Sequence, residues 1–257
     1  MDRDTEKTAS DSEASASFGY REVPRAEKAG LVRQVFDSVA RRYDVMNDLM
    51  SLGIHRLWKS NLIDMVMPRP GQALLDVAGG TGDVAFRLAA RAPGAAVTVC
   101  DINVEMVTVG RDRGIDSGRV GGIDWTVGDA EKLPFADASF DAYTIAFGLR
   151  NVTDIDAALT EARRVLKPGG KFFCLEFSRV TLPLLAKVYD GYSFNVLPAL
   201  GGLIANDRDS YRYLAESIRR FPPQDELVAR IAAAGLERAR YRNLSAGIVA
   251  IHSGWRL

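Results

Sequence analysis

The run Leu74-Leu75-Asp76-Val77-Ala78-Gly79-Gly80-Thr81-Gly82-Asp83 constrains the fold more than any other stretch of the chain. Strand-compatible residues lead into a carboxylate, and three glycines follow within four positions. Val84, Phe86 and Leu88-Ala89-Ala90 then read as a helix. A buried strand that ends in a glycine-rich turn and opens a helix is the first unit of a nucleotide-binding α/β fold. The glycines permit tight backbone dihedrals and let a ligand approach without meeting a Cβ.

The glycine pattern alone leaves the cofactor open. Gly80-Thr81-Gly82-Asp83-Val84-Ala85 satisfies the alanine-ended dinucleotide fingerprint. Charge argues the other way. A pyrophosphate here would meet Asp76 at the strand end and Asp83 in the first turn of the helix, whereas two carboxylates suit the sulfonium and α-ammonium of S-adenosylmethionine. Residues 96–101 read as a second buried strand, ending in Asp101. This acid stands about 20 residues past the turn, where a carboxylate bonds ribose hydroxyls. A third strand, 123–127, runs into Gly128-Asp129-Ala130, a contact for the adenine edge. Acids at three successive strand ends make an ordinary βα turn a poor account of the glycines.

At this point the chain resembles a family. The runs 76–83 and 128–135, the acid Asp101 and Arg164-Val165-Leu166-Lys167-Pro168-Gly169-Gly170 look like the motif series of class I S-adenosylmethionine-dependent methyltransferases. Phe36-Asp37-Ser38-Val39-Ala40-Arg41-Arg42-Tyr43-Asp44, Phe147-Gly148-Leu149-Arg150-Asn151-Val152 and Asp209-Ser210-Tyr211-Arg212-Tyr213-Leu214 narrow it. They closely resemble the ubiquinone/menaquinone biosynthesis C-methyltransferase family, over about residues 30–257. The resemblance implies an α/β fold: a seven-stranded, mostly parallel sheet with helices on both faces, Rossmann-like, preceded by N-terminal lid helices. It implies S-adenosylmethionine as cofactor, held by Tyr43, Asp76, Gly79, Gly80, Thr81, Gly82, Asp101, Ile102, Asp129 and Ala130. The methyl acceptor it implies is a prenylated hydroquinone, a benzoquinol or a naphthoquinol, with a quinone-biosynthesis complex or a homodimer as partner.

The catalytic set expected is Arg150, Asn151 and Tyr43. Arg150 follows the fourth strand (141–147), at the sheet edge where ligands bind in open α/β folds. A guanidinium there cannot serve as a base, but it stabilises a phenolate or orients a water. The competing reading is a surface or capping arginine. Asn151 is placed to bond a quinol oxygen, and asparagine after a strand is as often a turn residue. Tyr43 covers the methionine portion of the cofactor, or continues the apolar stripe begun at Leu31. His55 is the obvious base by chemistry, yet a lone histidine among apolar neighbours is more often structural; His252 ranks below it. Relatives often carry serine where this chain has Ala146.

Composition is compatible with this reading. A chain of 257 residues holds one α/β domain with a large core. Its 33 basic and 33 acidic residues cancel, so bulk charge points to no nucleic-acid partner. Cys100 and Cys174 sit in apolar runs and read as buried, reduced thiols of a cytoplasmic protein. No metal-ligand spacing occurs. Residues 1–22 alternate acids with Ser and Ala and read as a disordered tail, neither signal nor transit peptide.

A single domain is then expected over 23–257. It comprises lid helices at 28–68, a cofactor-binding core at 72–180, a substrate-covering insertion at about 181–222 and C-terminal strands at 236–257. Thr153 with Asp156 suggests a capping box for the helix that follows. The uncharged stretch 191–206 is too short and too interrupted for a spanning helix, which needs about 20 apolar residues. A channel for a prenyl tail or a membrane-facing lid fits it, as does core packing. Weak, reversible association with the inner membrane face is expected; Arg208 and Arg212 are candidate headgroup contacts, although Asp207 and Asp209 beside them fit a plain solvated face equally well. A small-molecule O- or N-methyltransferase and, more distantly, an NAD(P)-dependent oxidoreductase remain as alternatives.

Overall fold

The computed structural model describes residues 15–39, 48, 51, 53–118, 122–183, 187, 191 and 208–257. It opens with a two-stranded antiparallel hairpin, β1 (Ser15–Phe18) and β2 (Arg21–Pro24), followed by α1 (Arg25–Val39) and α2 (His55–Val66). The alternating core then runs β3 (Ala73–Val77), α3 (Asp83–Arg91), β4 (Ala96–Asp101), α4 (Val104–Asp116), β5 (Ile123–Val127) and β6 (Phe140–Ala146). A 3-10 turn at Leu149–Asn151, α5 (Ile155–Val165) and β7 (Leu166–Phe177) follow. The chain closes with α6 (Arg208–Arg220), α7 (Gln224–Ala233), β8 (Glu237–Leu244) and β9 (Val249–Trp255).

Seven strands form one sheet in the order β5-β4-β3-β6-β7-β9-β8. The first five are parallel, and β9 runs antiparallel between β7 and β8. The inner strands β3 and β6 are buried on both sides because helices cover both faces, whereas β8 at the edge is largely exposed. Along β7, Phe173 and Leu175 enter the core with α2 and α3, while Phe172 and Cys174 enter the core with α5 and α7. This alternation is the two-residue period of a strand. Both cysteines are buried and unpaired.

The glycine turn is built as its residues require. Gly82 has φ +82°, and a Cβ there would lie 2.5 Å from the Trp125 ring, so the start of α3 is packed against an indole that only glycine leaves room for. The sequence order of β3, β4 and β6 brings their carboxyl ends together at the point where strand order reverses, the place where open α/β sheets bind ligands.

Several boundaries differ from the expectations. Residues 15–22 are no loose tail: they form most of the hairpin, which packs Phe18 against Tyr213. That partner is remote in sequence, so no local periodicity announces it. Of the two lid helices, α1 covers the sheet edge, but α2 is a layer helix with Trp58, Leu62, Ile63 and Val66 buried. The cap of α5 is Asp154, whose side chain accepts from the N–H groups of Asp156 and Ala157; the N–H of Thr153 donates to Glu131 instead. The end of the expected insertion is α6, whose Tyr211, Leu214 and Ile218 join the core. Most of 184–207 lies outside the described residues, as does Tyr43.

Candidate functional site

Each acid at a strand end has a distinct environment. Asp101 closes β4 and is 9% exposed. Its Oδ2 accepts from Gly80 N–H at 2.8 Å and its Oδ1 from Asn103 N–H at 2.9 Å, so it ties the glycine turn to the start of α4. Burial raises its pKa, against the pull of these backbone donors. Asp129 holds its own loop by accepting from Glu131 N–H. Asp76 is 1% exposed; Thr144 donates to its Oδ1 at 2.8 Å, and its Oδ2 has no partner. Burial pushes its carboxyl up to about 7, although Thr144 and Lys59 oppose the rise.

These groups line two chambers on either side of the glycine turn. The larger, about 770 Å³, brings together Gly80, Asp101, Ile102, Asp129, Ala130 and Asn151. Val77, Met106, Phe147 and Gly148 are among the residues of its wall, and Ala29, Val32, Arg33 and Phe36 of α1 cover it. A bond from Asn103 Nδ2 to Asp37 Oδ1, 2.8 Å, fixes α1 over α4. The smaller chamber is lined by Lys59, Asp76, Gly79, Thr81, Asp83 and Ala146. Gly82 lines neither and serves the turn. The donor and acceptor set suits an adenosylated cation: Asp101 and Asp129 share the larger chamber with apolar side chains, and Asp76 leaves an orphaned carboxylate oxygen in the smaller one.

Two expected roles change. Asp83 is not an open carboxylate for a cation. Lys59 of α2 meets it at 2.9 Å and Arg87 at 2.9 Å. Burial would raise its pKa, yet these two cations outweigh that and bring it to about 2. Arg150 does not project into the larger chamber, nor does it lie on the surface. Its side chain is 3% exposed and its Nη1 meets Glu176 Oε1 at 2.9 Å; the same nitrogen donates to the Phe147 carbonyl, and the guanidinium lies over the Phe177 ring. The last residues of β7 put this carboxylate beside the 3-10 turn, so the charge of Arg150 is answered inside the protein. Asn151 does reach the larger chamber, and its Oδ1 accepts from Tyr213.

Neither histidine lines these chambers. His55 bonds Ser51 and lies 3.6 Å from Asp48, and burial lowers its pKa. His252 is buried in β9 with Nε2 against the Gln224 carbonyl, and burial lowers its pKa to about 4. Residues that pattern reading passed over are Lys59, Asn103, Glu176 and Tyr213. Lys59 lies within the otherwise apolar stripe Trp58, Leu62, Ile63, Val66, and Glu176 interrupts the apolar strand 172–177; a charge in such a run is the signal that was there to read.

Among solved structures, the chain is similar to an S-adenosylmethionine-dependent methyltransferase from Aquifex aeolicus, with TM-score 0.59, 16% identity and 82% of this chain and 98% of that one covered. It is also similar to the phosphoethanolamine N-methyltransferase 2 of Haemonchus contortus in complex with S-adenosylmethionine, with TM-score 0.53, 20% identity and 73% and 38% covered. These establish the fold. Among sequences, it is 58% identical over 240 residues to the ubiquinone/menaquinone biosynthesis C-methyltransferase UbiE of Paracoccus denitrificans, covering 93% of this chain and 96% of the relative. The protein of the same name from Acidiphilium cryptum is 57% identical, with 97% and 100% covered. Residues 21–256 match the sequence model of the ubiE/COQ5 methyltransferase family, hairpin strand β2 included, and the chain belongs to that family.

Proposed function

We propose that this protein transfers a methyl group from S-adenosylmethionine to a ring carbon of a prenylated hydroquinone, in ubiquinone or menaquinone biosynthesis. The observation that carries the reading is the larger chamber, where Asp101, Asp129 and the glycine turn meet the Asn151 amide beneath α1. When bound, S-adenosylmethionine supplies the electrophilic methyl group. Asp101, its position fixed by Gly80 and Asn103, would accept from the ribose hydroxyls. Ile102, Asp129 and Ala130 would hold the cofactor's adenine end, and the free oxygen of Asp76, in the smaller chamber, would answer its positive charge. A hydroquinone becomes nucleophilic at carbon when a hydroxyl gives up its proton, because phenolate charge spreads to the ortho carbon; the new ring C–CH3 bond replaces the S–CH3 bond, S-adenosylhomocysteine leaves, and the ring carbon loses its proton to solvent to restore aromaticity. Asn151 meets the oxygen that bears this charge. Phe36, Phe147 and Met106 keep water out, which strengthens each polar contact inside. Arg150 acts one step back, by holding the 149–151 turn against Glu176 and the Phe147 carbonyl.

The tail-bearing substrate resides in a bilayer, and no described helix is long and apolar enough to cross one. On this reading enzyme and substrate meet at the membrane surface, through weak and reversible association.

Two measurements test this. Asp101→Asn keeps the side-chain size and removes the charge, and S-adenosylmethionine affinity by calorimetry should fall roughly tenfold or more, from the ~1.5–3 kcal/mol of a hydrogen bond to a charged acceptor. In a strain lacking the gene, extracted quinones should be the unmethylated precursors, and the wild-type gene should restore the methylated ring. Methylation instead of an oxygen or nitrogen on a small metabolite would overturn the assignment.

A further inference from the structure

The N-terminal hairpin and α6 are joined along one stripe. Tyr213, Glu216 and Arg220 stand three and four residues apart, so they share a helix face. Each has a hairpin partner. The Phe18 ring stacks on Tyr213 with centroids 4.2 Å apart and planes at 20°. The N–H of Tyr20 donates to Glu216 Oε2 at 3.0 Å, and Arg220 meets Glu22 at 3.1 Å. Gly19 allows the approach: its φ is +61°, and a Cβ there would lie 2.3 Å from Glu216 Oε2.

The far end of the Tyr213 ring reaches the candidate active site. Its hydroxyl donates to Asn151 Oδ1 at 3.1 Å. Tyr213 is 5% exposed, and burial raises the pKa of its phenol, which keeps the proton on the hydroxyl. A protonated hydroxyl beside an amide oxygen has one sense of donation. With Tyr213 donating to the carbonyl oxygen of Asn151, its NH2 keeps both hydrogens to donate, and Asn151 lines the larger chamber. An NH2 at that point rewards a partner with lone pairs, such as a phenolate or quinol oxygen. It offers nothing to an amine N–H, where two donors would face each other.

We propose that Tyr213, braced by the hairpin through Phe18, is a positioning residue that presents the Asn151 NH2 as a donor to an oxygen of the methyl acceptor. The proposal rests on the larger chamber being the methyl-transfer site. It makes the hairpin part of the acceptor machinery and gives the site a built-in preference for ring oxygen over amine.

Tyr213→Phe tests it, because the stack on Phe18 survives and only the hydroxyl is lost. With a short-chain prenylated hydroquinone, kcat/KM should fall roughly five- to tenfold, the loss of one oriented hydrogen bond, while S-adenosylmethionine affinity by calorimetry stays within about twofold. The hydroquinone's own Kd should weaken in parallel, and the pH at half-maximal kcat/KM should rise, since the phenolate has lost a donor. In an Asn151→Ala background the same change should have no further effect. Unaltered kcat/KM and hydroquinone Kd in Tyr213→Phe would overturn the proposal, as would an equal loss in the Asn151→Ala background, which would mean that Tyr213 acts without Asn151. If the wild-type protein binds the cofactor yet methylates and binds no hydroquinone, the proposed function itself fails, and this proposal with it.

Discussion

Asp76 carries a charge that the fold resists. Its carboxyl, raised to about 7 by burial, stays protonated in the folded protein at a pH where the unfolded chain, with an ordinary value of about 3.9, has released the proton. The folded state thus holds the extra proton between roughly pH 4 and 7, so this group lowers stability as pH rises through that window. A cationic cofactor favours the ionised form. S-adenosylmethionine affinity is therefore expected to climb as pH passes through about 7, and Asp76→Asn to flatten the climb; calorimetry at a series of pH values reads both. A wild-type profile with no slope would remove Asp76 from the cofactor's charge balance. The Arg150–Glu176 pair makes a different prediction. Arg150→Ala strands a fully buried carboxylate, at a cost of about 3–5 kcal/mol. Each kcal/mol lowers Tm by ~2–4 °C in a chain of this size. Adding Glu176→Gln should recover much of the loss, and an unchanged Tm in Arg150→Ala would show that the pair contributes nothing. The acids were legible in sequence because strand order alone sets where Asp76, Asp101 and Asp129 emerge. Their partners were not: Lys59 reaches Asp83 from another helix, and Glu176 reaches Arg150 from a neighbouring strand, so each pairing exists only once the layers pack.

Among the elements, the glycine turn is the one whose geometry admits the least substitution. Gly82→Ala would hold an L-residue at φ +82° and drive its Cβ into Trp125, which packs against Phe86. The backbone alone costs about 1–2 kcal/mol, so thermal melts should drop by several degrees and cofactor affinity should fall with them. A melt identical to wild type would mean that Trp125 moves aside freely. Strands β3 to β7 and helices α3 and α5 were readable because apolar runs and 3.6-residue stripes are local signals. The hairpin was not, since Ser15-Ala16-Ser17-Phe18 has little apolar content and its Phe18 stacks on Tyr213, a partner remote in sequence. Likewise α2 reads as a lid from its amphipathic pattern, which records that one face is buried but not against what.

For the molecule as a whole, the substrate's size and solubility matter more than any one contact. Burial of a prenyl chain contributes about 0.8 kcal/mol per CH2 removed from water. A prenylated hydroquinone should therefore show a higher kcat/KM than its tail-less counterpart in detergent-free assays, and the protein should float more strongly with vesicles that carry it. Equal kcat/KM for the two would deny the tail any place on the protein. The position of β9 has a consequence in time. It is the last strand of the sheet to be synthesised, yet it lies inside the sheet, pairing with β7 on one side and β8 on the other. The ribosome delivers the other described strands first, so the edge of β7 stays open and β8 lacks its partner until residues 249–255 emerge. Folding of this half of the sheet cannot proceed from the N-terminus as translation does. The nascent chain must wait with an unpaired edge exposed, the state in which strands most readily pair with the wrong partner.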